Sequence, residues 1–175
     1  MILCEQNKNL IVILILSVFV CTIITVVNST IIQWGIFFYY SGLFIVPSGI
    51  YLDFKRGCLA TSIIGLYIDS IFNTPFGFHG LILPLTLIIS KKWINEYIVR
   101  NNSKIILIQT IFNSVFLFLL SMALVIKELN TFKLDRFLID VSFSTILFIP
   151  VVIWQSDFMN LLLKDRIEIE VPIGE

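Results

Sequence analysis

Two residues have the strongest chemical claim in this sequence. Asp69 and His79 bracket the break in the stretch GLYIDSIFNTPFGFHG, residues 65–80. A carboxylate and an imidazole on adjoining apolar segments can form a proton relay or half of a metal site. Nothing nearby in sequence completes either one: His79 is the only histidine, and the neighbouring Ser and Thr residues have no base at helical spacing. The plainer readings are that Asp69 hydrogen-bonds the turn that follows it or the free amides opening the next helix, and that His79 is a polar residue at a membrane boundary. Asp140 and Asp157 lie about 25 Å apart on helical rise, too far to act as a pair on one substrate. The residues therefore point to no catalytic group, no metal and no cofactor.

These residues sit in an unusual background. Apolar types make up 58% of the 175 residues, charged types 14%, and mean hydropathy is +0.98. A chain of this composition belongs in a bilayer. Its 12 basic and 12 acidic side chains balance, which gives no electrostatic footprint for nucleic acid. Cys4, Cys21 and Cys58 have neither disulfide nor zinc spacing. The first apolar run lacks a small-residue cleavage site after it and reads as a retained helix.

About 20 apolar residues cross the hydrocarbon. Runs bounded by charge, Pro or Asn predict one transmembrane domain over 1–175, an all-α bundle of about six spans near 10–27, 32–52, 57–73, 77–94, 104–126 and 137–157. Residues 158–175 read as a tail. The third span is short and is open to a tilted or re-entrant reading. With the N-terminus inside, Lys8, Lys55, Arg56, Lys91, Lys92, Arg100, Lys104, Lys164 and Arg166 fall on inner segments, and only Lys127, Lys133 and Arg136 on outer ones. That bias predicts both termini in the cytoplasm. Trp34, Trp93 and Trp154 fall near expected boundaries, where amphipathic rings settle.

Small residues repeat at helical spacing. Ser17, Cys21 and Thr25 share one face of the first span, and Gly57, Thr61, Gly65 and Asp69 share one face of the third. Such stripes let helices approach closely, most simply inside the bundle and otherwise against a partner. Pro75 ends the third helix at Thr74, and Gly77 and Gly80 allow tight backbone at the start of the fourth. Pro84 and Pro150 fall inside the fourth and sixth spans, where kinks are expected.

The run GCLATSIIGLYIDSIFNTPFGFHGLILPLTLIISKKW, together with six spans and the late STILFIPVVIW, resembles the rod shape-determining protein MreD family. On that resemblance Gly65, Asp69, Pro75 and Gly77 match the family's helix-turn-helix signature; Gly57, Thr61, His79 and Asp140 are weaker candidates for a packing or partner face. The family often has a further glycine where this chain has Ser62. The resemblance implies a non-enzymatic component of the bacterial inner membrane, working with MreC, MreB, RodA and a class-B penicillin-binding protein in lateral peptidoglycan synthesis. The family is also similar, as a six-helix bundle, to the S components of energy-coupling-factor vitamin transporters. That supplies an alternative function, small-molecule capture, for which Asp69, Asn73, Thr74, His79 and Asp140 are the available polar groups. An intramembrane hydrolase or lipid transferase needs paired acids or an acid beside a metal ligand, and the sequence has neither.

Overall fold

A computed structural model of the chain describes residues 2–72, 74–94, 102–128 and 133–163. Asn73, Arg100, Lys164, Arg166 and most of the expected tail lie outside those residues, as do the side chains of Lys92, Trp93, Lys104 and Lys127.

The regular elements are α1 (Ile2–Ile31), α2 (Ile45–Tyr51), α3 (Phe54–Phe72), α4 (Phe78–Trp93), α5 (Asn102–Glu128) and α6 (Leu134–Leu163), with short 3-10 turns at Ile32–Trp34 and Ser41–Phe44. No strand occurs among the described residues. Three stretches are long and apolar enough to cross a membrane: Gln6–Trp34, Ile105–Ile126 and Leu134–Leu163. Their outward faces carry Ile15, Val26, Leu107, Ile111, Ile146 and Leu161, all exposed in the isolated chain, as lipid-facing helices require. The protein is an all-helical membrane protein. The hairpin of α3 and α4 is shorter: α3 has 19 residues, about 28 Å on helical rise. Pro84 and Pro150 lie inside α4 and α6 as expected.

The second expected span is not a helix. Residues 32–52 carry no charge and are mostly apolar, and hydropathy alone reads them as one crossing. Instead the chain turns at Gly35, whose φ is +73°, runs without regular structure through 36–40, makes the Ser41–Phe44 turn and ends in the seven-residue α2. This broken segment occupies the centre of the bundle: Tyr39, Tyr40, Leu43 and Ile45 are wholly buried. Non-helical backbone at membrane depth is tolerated only where protein satisfies its amides and carbonyls. Three helices do so here. From α1, Asn28 accepts from the Phe38 amide at 2.9 Å and donates to the Phe38 carbonyl at 2.8 Å. From α6, the Ser144 hydroxyl accepts from the Tyr39 amide at 2.8 Å and donates to the Phe37 carbonyl at 3.3 Å.

The third helix contributes the most. On α5, Asn113 donates to the Tyr39 carbonyl at 2.8 Å and accepts from the Gly42 amide at 3.1 Å; one turn earlier, Gln109 donates to the Leu43 carbonyl at 3.4 Å. Gly42 makes that approach possible, because a methyl there would sit 2.8 Å from the Asn113 amide and the Gln109 carbonyl. Asn113→Leu is expected to destabilise the fold by roughly 1–3 kcal/mol, since it leaves a buried carbonyl and a buried amide without partners. Unfolding of the purified protein in mild detergent measures this. A variant as stable as wild type would show that α5 does not hold the segment.

Candidate functional site

Polar side chains gather at the α3–α4 turn, where sequence placed them. α3 presents Gly57, Thr61, Gly65 and Asp69 along its buried face. At Gly65 the helices touch backbone to backbone: a methyl there would run into the His79 carbonyl and lie 2.7 Å from the Gly80 amide. At the other end of α3, a methyl on Gly57 would lie 3.0 Å from the Ser48 carbonyl and from the Leu87 side chain. Thr61 turns its hydroxyl onto the Gly57 carbonyl of its own helix at 2.9 Å. The stripe packs inside the bundle.

The turn is built from two residues with opposite constraints. Pro75 accepts from the Phe78 amide at 3.0 Å, and Gly77 takes a φ of +89° before α4 begins. That conformation aims the first amides of α4 back at α3. Asp69, only 2% exposed, receives them: its carboxylate accepts from the His79 amide at 3.1 Å and the Gly80 amide at 3.3 Å. The Thr74 hydroxyl adds a bond at 2.7 Å. A negative group at the positive end of a helix is in its favoured place. The expectation that Asp69 reaches across the hairpin to the opening amides of the fourth helix matches this geometry.

His79 is not presented at the protein surface. The residue is wholly buried, with Nδ1 2.6 Å from Asp69 and Nε2 2.6 Å from the Tyr39 hydroxyl. Asp69 accepts from the backbone amides and Thr74, so it is the acceptor for His79 as well, which places the imidazole proton on Nδ1. Nε2 is then left to accept from Tyr39. The result is a chain of carboxylate, imidazole and phenol running from the α3–α4 turn to the broken segment. Tyr39 is the member that sequence reasoning missed. Its position follows from the bonds that α5 and α6 make to its own carbonyl and amide.

Chemically, the chain resembles the acid–base–hydroxyl order of a hydrolytic triad but not its setting. A nucleophile must meet a substrate, and the Tyr39 hydroxyl is enclosed on a residue with no exposed surface. Among the described residues, no three His, Cys, Asp or Glu side chains come together as a metal site. Asp140 lies apart from the triad, ion-paired to Arg136 one turn away on α6 at 3.0 Å. Cys21 and Cys58 are free thiols.

The fold and site thus define an all-helical membrane protein braced internally by a buried Asp–His–Tyr chain. No protein family, no curated protein and no solved structure matches the chain.

Proposed function

We propose that this chain is a non-enzymatic scaffold of the bacterial cell-elongation machinery in the inner membrane, with both termini in the cytoplasm. It binds MreC and through it is linked to MreB, RodA and a class-B penicillin-binding protein. The resemblance of residues 57–93 to the MreD family supports this reading. One observation supports a scaffold over a reactor: Asp69, Thr74 and His79 direct their hydrogen bonds at one another and at the turn that carries them. Polar groups that capture a vitamin converge on a space. Here they converge on Asp69, and one carboxylate oxygen of Asp140 is paired with Arg136. The product of this arrangement is a hairpin of fixed shape whose outer faces are free for other helices.

Apolar helices gain little by leaving lipid for each other, so a partner must recognise shape and a few polar contacts. Co-expression with MreC of the same bacterium, followed by purification in detergent, tests the proposal. The expected result is a stable complex without a bound vitamin-sized molecule. Asp69→Asn is expected to insert at normal yield yet capture roughly five- to tenfold less MreC, a change of about 1–1.4 kcal/mol. Undiminished capture by that variant, or a vitamin-sized ligand retained through extraction, would overturn the proposal.

A further inference from the structure

We infer that His79 is a proton-binding site inside the bundle, and that its charge state is read by the broken segment through Tyr39 and Ser41. The inference rests on the triad geometry and stands whether or not the chain binds MreC.

A brace needs one complete set of hydrogen bonds; this network contains two. In the first, neutral His79 donates from Nδ1 to Asp69 and accepts at Nε2 from Tyr39. Adding a proton at Nε2 leaves the Asp69 bond as it is and reverses the other, so that Nε2 donates to the phenol oxygen. The Tyr39 hydroxyl proton must then find a new acceptor. Ser41, two residues along the same segment, supplies it: its hydroxyl is buried beside that of Tyr39 and bonds no other group among the described residues. No covalent bond is made or broken beyond the uptake of one proton: the second set reverses the link between His79 and Tyr39 and adds one from Tyr39 to Ser41.

Charge makes both states tenable. Without the extra proton the triad carries one negative charge, held by the opening amides of α4 and the Thr74 hydroxyl. With it, the triad is a neutral ion pair, which a low-dielectric interior accommodates when its hydrogen bonds are complete. The groups facing His79 are few. α3 contributes Asp69, and the broken segment contributes Tyr39. Tyr40 is turned instead toward Cys21, Thr25 and Tyr67. α2 carries only Tyr51, bonded to Asn160 at 2.7 Å. No lysine or arginine among the described residues pairs with the triad.

The chain has a single histidine, so its imidazole nitrogens can be followed without assignment. The full chain, labelled with ¹⁵N-histidine and reconstituted in zwitterionic nanodiscs, is titrated by NMR over about pH 5 to 9, which spans the ordinary imidazole range. The expected spectrum shows the Nδ1–H tautomer at the alkaline end and conversion of both nitrogens to imidazolium signals on acidification. Ser41→Ala removes the new acceptor at little cost to packing and is expected to reduce the ratio of charged to neutral His79 about tenfold at any given pH. A purely structural brace would not respond to that substitution. An unchanging neutral imidazole down to about pH 5, an Nε2–H tautomer at the alkaline end, or a Ser41→Ala variant that titrates like wild type would each overturn the inference.

Discussion

Asp69→Ala is expected to lower the free energy of unfolding by about 3–5 kcal/mol, the range found when one partner of a buried charged network is removed. The effect is large because four donors lose their acceptor together: the Thr74 hydroxyl, the His79 amide, the His79 ring and the Gly80 amide. Two of these are opening amides of α4, which have no intrahelical partner to fall back on. Isolated neutral hydrogen bonds inside membrane proteins average only about 0.6 kcal/mol, so a loss near that value would mean that Asp69 acts as one bond rather than as a hub. Unfolding of the variant in mild detergent gives the total. The double variant Asp69→Ala/His79→Ala gives the coupling: removing the histidine as well removes one orphaned donor, so the two losses should be clearly less than additive. Strict additivity would dissolve the triad into unrelated contacts.

Gly65→Ala is expected to cost about 3 kcal/mol, and for a different reason. The added methyl meets backbone, which cannot rotate away: it would sit 2.5 Å from the His79 carbonyl carbon, against the 3.4 Å at which ordinary contact begins. Relief requires α3 and α4 to part by about 1 Å at that point. The Asp69 bonds to the α4 amides are already 3.1 and 3.3 Å long, so that movement breaks them. Overpacking and loss of the cap therefore arrive together, and the His79 ring signals should shift in the same variant. Gly77→Ala offers the comparison. A methyl there meets nothing within 4 Å, and only the strain of a φ of +89° remains, about 1–2 kcal/mol. If Gly77→Ala proved the more damaging of the two in detergent unfolding, the turn conformation would matter more than the close approach of the helices.

The parts of this molecule that sequence makes legible are those where chemistry and position coincide locally. Long apolar runs mark α1, α5 and α6 because hydrocarbon imposes a length. Asp69 beside a Pro and Gly break stands out because a carboxylate in an apolar run needs donors, and the next helix must begin within a few residues. The broken segment was not legible in the same way. IFFYYSGLFIV carries no charge and is mostly apolar, and hydropathy measures aversion to water, not the path of the backbone. Its partners are remote, with Asn113 and Ser144 bonding Tyr39 from 74 and 105 residues downstream. A signal did exist: Gln109 and Asn113 fall one turn apart on an otherwise apolar helix, and Gly35, Ser41 and Gly42 interrupt the opposing run. Buried amides at helical spacing imply something to bond, and here it is the backbone of another segment. The burial of His79 is illegible for a related reason, since Tyr39, the residue that makes it tolerable, lies 40 positions away.

The non-helical stretch at 36–40 bears on how such a chain is made. Nascent segments leave the translocation channel in order, and non-helical backbone with open amides has no stable home in lipid when it emerges. Asn28 is already present to receive Phe38, but the groups that satisfy Tyr39 and Gly42 have yet to be synthesised. The early half of the protein must therefore wait, shielded by the insertion machinery or parked at the membrane surface, until the last two helices arrive and complete it.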